Sequence, residues 1–455
     1  MSGNDPTSGN NASRAVAVAV LEKLASASSL DAGLQHALAV AYEVVGERLK
    51  AAVARTAAKA LTDRNALLLY NVATAYLNDL HLEEAEHWYR VTLAIDPELA
   101  VAHQNLASVL RRRGKPDEAD EHLRQAYSRQ GVFIEPATSA AAGSAPEAAR
   151  RVLMLCAGSI GNIPIKHLMP DGRYTQIRYF VEYAREPELA SVPEHDIVFN
   201  VIGDPDVSAS DHPNLDTLLA RTSRRVLNAP DHVRSTRRDR LPERLAGIEG
   251  IVVPVTRRIE LASSNEQSLA DAIDREGPAY PVIVRPIASH GGQGVQFVNT
   301  RDELDTSALA SAHAVYATAF HDYRSDDGFF RKYRVIFVDR EPYPYHLAIS
   351  PSWLVHYFSA EMLEAPRKLD EERRFLEDPQ AVLGAKGMQA LRDIAHRLDL
   401  DYAGIDFSVL PNGDLLVFEA NATMLIHPEP ATSALAHKNV HVQAIVDAFA
   451  SMLEH

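Results

Sequence analysis

Two carboxylates and an amide stand at fixed offsets in the stretch Tyr402-Ala-Gly-Ile-Asp-Phe-Ser-Val-Leu-Pro-Asn-Gly-Asp-Leu-Leu-Val-Phe-Glu-Ala-Asn-Ala-Thr. Asn412-Gly413 separates two alternating apolar runs, which is a strong hairpin signal. Folding the chain back at that dipeptide sets Asp406 directly opposite Glu419. Asn421 lies two residues beyond Glu419 and so shares its face. Phe407 and Phe418 are expected to pair on the other, apolar face. Opposed carboxylates repel, and a hard cation between them makes the arrangement favourable. An oxygen-only set with few protein donors and room for phosphate oxygens is a magnesium environment. A solvent-facing acidic edge is the plain alternative; the apolar context Val417-Phe418-Glu419-Ala420 argues against it.

A second chemical feature lies upstream, in Tyr280-Pro-Val-Ile-Val-Arg-Pro-Ile-Ala-Ser-His-Gly-Gly-Gln-Gly-Val. Residues 282–284 read as a strand, with Arg285 a cation at its end. Ser289, Gly291, Gly292 and Gly294 make a loop whose backbone N–H groups can approach phosphate oxygens. Residues 295–298 read as a second strand, so this is a β-loop-β cover. Neither a P-loop nor a strand–GxGxxG–helix fingerprint is present. A plain hairpin is the bland reading of the loop alone. The Gly158-Ser159-Ile160-Gly161 turn is equally well explained by a tight strand end.

Together, the D…ExN hairpin and the upstream loop resemble the ATP-grasp enzymes, over roughly residues 152–453. The form Ala403-Gly404-Ile405-Asp406 looks most like the RimK-like ligases, which join amino acids to peptides or carrier proteins; the D-Ala–D-Ala ligase branch commonly carries Arg in place of Gly404. The resemblance implies ATP and Mg2+ as cofactors, with Mn2+ a substitute, and metal ligation by Asp406, Glu419 and Asn421. It implies phosphate-binding cations at Arg285 and Arg238, where the family usually has lysines, and an adenine hinge at Ala319 and Phe320. Family members carry an acid at the hinge; none is evident here, and Asp322 is late. In Arg331-Lys-Tyr-Arg-Val-Ile-Phe-Val-Asp339, Arg334 matches a substrate- or phosphate-binding arginine, and His346 on the next strand is a second catalytic candidate. A surface ion pair and a satisfied core histidine are the plain readings of these two.

The elements that must position these groups occupy the second part of the chain. Short β-like runs alternate there with helical stretches, as in α/β or α+β architecture. Before them, residues 31–133 are rich in Ala and Leu and repeat with a step of 34: Ala39, Ala73 and Ala107, and again Ala51, Ala85 and Ala119. Small residues at that period resemble tetratricopeptide repeats. Such a unit offers a concave surface for a peptide or protein, or a homodimer interface; a generic helical bundle is the alternative. The expected fold class is α+β, with helical repeats joined to an ATP-grasp fold. The expected parts are a partly helical extension (1–30), the repeats (31–133), a small-residue linker (134–150), a pre-ATP-grasp α/β domain (151–232) and a two-lobed ATP-grasp domain (233–455).

Composition excludes other classes. The chain has 46 basic against 61 acidic residues, a net charge of −15, and lacks the basic footprint of a nucleic-acid binder. One cysteine, Cys156, permits no intramolecular disulfide; it ends an apolar run and reads as a buried strand residue rather than a thiol nucleophile. No signal peptide or membrane span is evident, so the expectation is a cytoplasmic protein. The implied reaction is ADP-forming ligation of a carboxylate to an amine through an acyl phosphate, on an amino acid, peptide or carrier protein. A phosphotransferase of the same fold and a repeat-bearing binding protein with a decayed nucleotide site are the alternatives. Arg367, Lys368, Arg373 and Arg374 mark a charged segment that reads either as a substrate surface or as a solvated helix.

Overall fold

A computed structural model describes residues 6–28, 30–128, 131–138, 149–158, 160–170, 172–261, 266–287, 294–305, 307–309 and 314–455. The chain forms two compact units, Met1–Gly131 and Val132–His455.

The first unit is helical: α1 (Pro6–Ala27), α2 (Ala32–Val45), α3 (Arg48–Thr62), α4 (Ala66–Asn78), α5 (Leu82–Ile95), α6 (Ala100–Arg112) and α7 (Pro116–Tyr127). From α2 onward, consecutive helices pack in pairs whose first members start at Ala32, Ala66 and Ala100. The helices start where the sequence supplies caps. The Asp31 carboxylate accepts from the N–H groups of Gly33 and Leu34, Asn65 accepts from Leu68, and Pro116 opens α7. All six repeated alanines are buried. Arg55 of α3 is exposed and paired with Glu43.

Among the described residues, the second unit contains three sheets. The first has the order β1-β3-β2-β4-β5: β1 (Val132–Glu135), β2 (Arg151–Cys156), β3 (Thr175–Phe180), β4 (Ile197–Asn200) and β5 (Val226–Leu227). All are parallel except the edge strand β1. Ile134 and Glu135, expected in the linker, belong to β1 instead. The β-prone run Val132-Phe133-Ile134 pairs with β3, and Phe133 packs 5.7 Å from Phe180. Residues 139–148 of the expected linker lie outside the described residues.

The second sheet, antiparallel, has the order β7-β10-β8-β9: β7 (Thr256–Glu260), β8 (Val282–Pro286), β9 (Gln296–Val298) and β10 (Ala314–Ala319). The third has the order β12-β11-β13-β14-β6: β6 (Ile251–Val252), β11 (Phe330–Val338), β12 (Glu341–Ser350), β13 (Tyr402–Val409) and β14 (Leu415–Asn421). Helices Pro366–Glu377, Pro379–Leu398 and Asn439–Glu454 pack on β12, and the last also packs on β11. Phe449 ties the first and third sheets together, 5.5 Å from Phe199 and 5.7 Å from Tyr402. Asn228 reinforces that junction. Its side chain bonds Tyr402 N–H and C=O at 2.9 and 2.8 Å, as a neighbouring strand would. Gly404 has no room for a side chain: a Cβ there would lie 2.8 Å from Met424 Cγ and 2.9 Å from the Val335 carbonyl.

The β13–β14 hairpin turns at Asn412-Gly413, with Gly413 at φ +81°. Asp406 stands opposite Glu419 and Gly404 opposite Asn421. Phe407, however, pairs with Val417 rather than Phe418. A bulge between Asp406 and Phe407 leaves Phe418 as the extra residue, and an extra residue breaks the strict alternation of faces. Phe407 is buried and stacks on Tyr333 at 5.4 Å, while Phe418 lines a cavity beside Glu419.

In the first unit, the Nδ1 atoms of His103 and His122 lie 2.8 Å apart, and His103 Nε2 lies 3.0 Å from the Pro97 carbonyl. A carbonyl only accepts, so His103 donates through Nε2 and, when neutral, accepts at Nδ1 from His122. Burial, and then His103, hold the His122 pKa below its ordinary value. The folded state therefore binds fewer protons than the unfolded chain once pH falls below the unfolded value of about 6.5. The helical unit is expected to lose stability from pH 7.5 to pH 5.5, lowering its Tm by about 3 °C. Circular dichroism melts should show this drop shrinking in His122→Asn; an equal drop in both proteins would contradict the assignment.

Candidate functional site

Lys332 and Arg334 alternate on β11, so both project from one face while Tyr333 packs against Phe375 and Phe407 on the other. Register carries that face across the sheet. His346, Arg334, Asp406 and Glu419 form one row over β12, β11, β13 and β14. Arg334 grips Asp406 in bidentate fashion at 2.6 and 2.8 Å, and Lys332 Nζ lies 3.1 Å from the same carboxylate. Glu419 is ion-paired with Arg238, whose guanidinium also reaches the Phe418 carbonyl at 3.5 Å. Burial alone would raise the Asp406 pKa. Arg334, followed by Lys332, instead holds this carboxyl well below the usual range.

This row opens into a cavity of about 500 Å3. Its charged lining comprises Arg238, Arg285, Lys332 and Arg334, together with Asp204, Asp206, Asp406 and Glu419. Arg285, at the end of β8, neighbours Tyr316 of β10 across the ladder. Burial, and then the nearby Arg238 guanidinium, push the Arg285 pKa down to about 9. Two guanidiniums that disfavour each other's charge form a site that an anion stabilises. Arg237 is not part of it: Asp239 chelates its guanidinium through two bonds of 2.8 Å.

The positions named from the sequence fall out as follows. Asp406, Glu419, Asn421, Arg238, Arg285, Arg334, Ala319 and Phe320 line the one cavity. His346 does not. It is buried, its ring lies 4.5 Å from Tyr357 in a stacked pair, and among the described residues its Nε2 has no hydrogen-bond partner. Burial and then Arg334 hold its pKa well below the ordinary value, so it stays neutral and offers no acid to the cavity. Ser289, Gly291 and Gly292 lie outside the described residues; Gly294 is described, with φ +67°. Lys368 is buried and donates to the Ala360 carbonyl at 2.6 Å. Arg367 lies over the Phe329 ring, and Arg373 pairs with Asp370, so this segment reads as a packed helix. The Cys156 thiol, buried, is pushed up to about 12 and is no nucleophile.

Lys332, Asp204, Asp206 and Trp353 were missed. Lys332 carried a signal, its two-residue offset from Arg334 on a strand. Asp204 and Asp206 follow β4 at its carboxyl end, where open parallel sheets place ligands. Asp206 accepts from the Tyr316 hydroxyl at 2.7 Å. Trp353 sits in a loop after β12, and nothing local marks it.

Asp406, Glu419 and Asn421 are an oxygen-only donor set on one cavity wall, which suits a hard cation. Among the described residues, no three His, Cys, Asp or Glu side chains gather to hold a metal. Asn421 Oδ1 accepts from Thr423 N and Oγ1 at 2.9 and 3.0 Å. The chemistry of the set fits magnesium, provided the basic side chains on Asp406 and Glu419 give way to it. Anionic phosphates beside Arg238, Arg285 and Arg334 would provide the alternative partners.

Residues 239–326 match the family model for the carbamoyl-phosphate synthase L chain, ATP binding domain. The match supports the ATP-grasp superfamily for a segment that contains Arg285 and the end of β10, and it stops short of the carboxylate hairpin. No curated protein matches the chain. Among solved structures, a RimK domain ATP-grasp protein from Sphaerobacter thermophilus is similar at 17% identity and TM-score 0.40, over 66% of this chain and 98% of that one. The VanG D-Ala:D-Ser ligase from Enterococcus faecalis is similar at 13% identity and TM-score 0.39, over 67% and 99%. The carboxyaminoimidazole ribonucleotide synthase from Aspergillus clavatus, complexed with ATP, is similar at 16% and 0.38, over 66% and 77%. Among the described residues, no helix is long and apolar enough to cross a membrane.

Neutralising Asp406 strands two cations beside it. Asp406→Asn is therefore expected to destabilise the protein by about 3 kcal/mol or more, read as a lower Tm of the second unit without added ligand. A Tm equal to or above wild type would mean that the carboxylate is not ion-paired.

Proposed function

We propose that the second unit is an ATP- and Mg2+-dependent carboxylate–amine ligase that forms ADP through an acyl phosphate. The observation that carries the reading is that one cavity is lined by Arg238, Arg285, Lys332 and Arg334 together with the opposed carboxylates Asp406 and Glu419. The match of residues 239–326 to an ATP-binding domain supports it. Arg238 and Arg285 bind the triphosphate, with guanidiniums taking the place of lysine charge while gripping two oxygens each. Lys332 and Arg334 hold the substrate carboxylate and the transferring phosphoryl group, stabilising charge in the transition state. Asp406, Glu419 and Asn421 would hold magnesium, which would supply positive charge beside the phosphates.

A substrate carboxylate oxygen attacks the terminal phosphorus and ADP leaves. An amine then attacks the acyl carbon, phosphate leaves with the bonding pair, and the amine gives up a proton. No nucleophilic side chain is needed. The cavity must exclude water from the acyl phosphate. The substrates we infer are an amino acid or peptide carboxylate and an amine. The helical unit is read as tetratricopeptide-like, presenting a peptide- or protein-binding surface or a homodimer contact. Its burial of alanines at a 34-residue period supports that. The whole is read as a cytoplasmic enzyme.

An ADP-release screen over pairs of amino acids and peptides tests the reaction. Turnover should require both a carboxylate and an amine, and should fall about 100-fold or more in Asp406→Asn/Glu419→Gln. ADP release with one substrate alone, leaving a stable phosphorylated product, would replace the ligase with a phosphotransferase. Unchanged turnover in the double variant would sink the site.

A further inference from the structure

The helical unit holds a cavity of its own, of about 300 Å3, whose described lining comes from α1 to α5. Leu38, Val53 and Ala54 form an apolar part of the wall, and four rings join them: Tyr42, Tyr76, His87 and Trp88. His87 and Trp88 meet edge to face with centroids 5.2 Å apart. Burial holds the His87 pKa below its ordinary value, so this ring is neutral at pH 7. Burial, and then Glu22, push the Tyr42 pKa up; burial, and then Glu84, do the same at Tyr76. Both phenols therefore stay neutral and sit in the field of carboxylates.

Glu22, Glu83 and Glu84 line this cavity against one basic side chain, Lys50. Glu83 pairs with Arg113 at 2.9 Å. Glu22 accepts from the Tyr42 hydroxyl at 2.7 Å. Among the described residues, neither Glu22 nor Glu84 has an ion-pair partner. The Lys50 ammonium lies 5.6 Å from the centroid of the Tyr42 ring, a cation seated on a π face. It offsets one of the two carboxylates and leaves the other unmatched. An acidic rim alone would mark a solvated surface, but Gln35 adds a separate observation. It is only 3% exposed and lines the cavity. Among the described residues its side-chain amide has no hydrogen-bond partner, and neither has the indole N–H of Trp88, which is 6% exposed. Buried polar groups are normally bonded, and a ligand entering the cavity can bond these two. The amide both donates and accepts, and the indole donates. That is the complement of a peptide group rather than of a bare cation.

We propose that this cavity takes an arginine side chain of a peptide, with the guanidinium among the rings and carboxylates and the adjoining peptide group on Gln35 and Trp88. Arginine suits the wall better than lysine, because a guanidinium is flat, stacks on rings, is weakly hydrated and can face two carboxylates at once. The proposal deepens the reading of the helical unit as a peptide-binding surface and is independent of the ligase reading. Titration calorimetry of the full chain tests it, using a pentapeptide with blocked ends, arginine at its centre and alanine elsewhere. The comparison ligands are the same peptide with citrulline, lysine or glutamate at the centre, and agmatine, which carries the guanidinium without a peptide group. The citrulline peptide and agmatine should each bind about tenfold more weakly than the arginine peptide. Glu84→Gln should weaken the arginine peptide about threefold to fivefold, and Lys50→Met should tighten it by a similar factor. Gln35→Leu should weaken it about fivefold to tenfold without lowering the Tm of the helical unit, since the lost amide bonds nothing in the free protein. Equal binding of the arginine peptide and either citrulline peptide or agmatine, or a Gln35→Leu variant that binds like wild type, would overturn the proposal. A preference for the lysine or glutamate peptide would overturn the arginine assignment and leave a peptide-binding surface standing. If none of the five ligands binds, the peptide-binding reading falls with the proposal, while the ADP-release screen still decides the ligase reading on its own.

Discussion

Asp406 and Glu419 face each other across one ladder, and the sheet closes only if their repulsion is offset. The offset comes from outside the hairpin. Arg334 and Lys332 reach Asp406 from the adjoining strand, and Arg238 reaches Glu419 from the segment before the second sheet. These contacts fix much else. Tyr333 must pack away from the cavity so that its neighbours can face it. Gly404 must lack a side chain so that β13 can lie against Val335 and Met424. The β13 strand must be anchored to the first sheet, which Asn228 and Phe449 accomplish.

The same interaction gives the cavity two electrostatic states. Without ligand, guanidiniums and Lys332 neutralise the carboxylates. On the proposed reading, a magnesium–phosphate ligand would draw the cations to phosphate and leave Asp406 and Glu419 to hold the metal, so charge would be exchanged rather than created. Burying either set of charges alone is costly, and partner exchange would make binding of metal and phosphate mutually dependent.

Much of this was legible in the sequence where the determinants are local or periodic. Six alanines at a step of 34 mark the repeat, and all six are buried. The dipeptide Asn412-Gly413 placed the turn and brought Asp406 opposite Glu419. The bulge was not legible. Alternation along a strand does not say where an extra residue will be accommodated, and so the expected Phe407–Phe418 pair gave way to Phe407–Val417. His346 failed for a related reason. It shares the row of Arg334, but what covers the end of a row is decided by a distant residue, here Tyr357. Trp353 enters the cavity through tertiary packing alone, which no local pattern announces. The strand 132–135 was hidden by the small-residue run that follows it.

The central claim of the proposed reading is that metal and phosphate bind in mutual dependence. Electron paramagnetic resonance of Mn2+, used as the magnesium probe, measures it directly. Titrated into the full-length chain alone, Mn2+ should stay largely free. Addition of ATP should create a protein-bound Mn2+ signal beyond that of the Mn2+–ATP complex in buffer, and Asp406→Asn/Glu419→Gln should abolish it. Equal Mn2+ binding without nucleotide, or an unchanged bound signal in the double variant, would contradict the exchange of partners at Asp406 and Glu419.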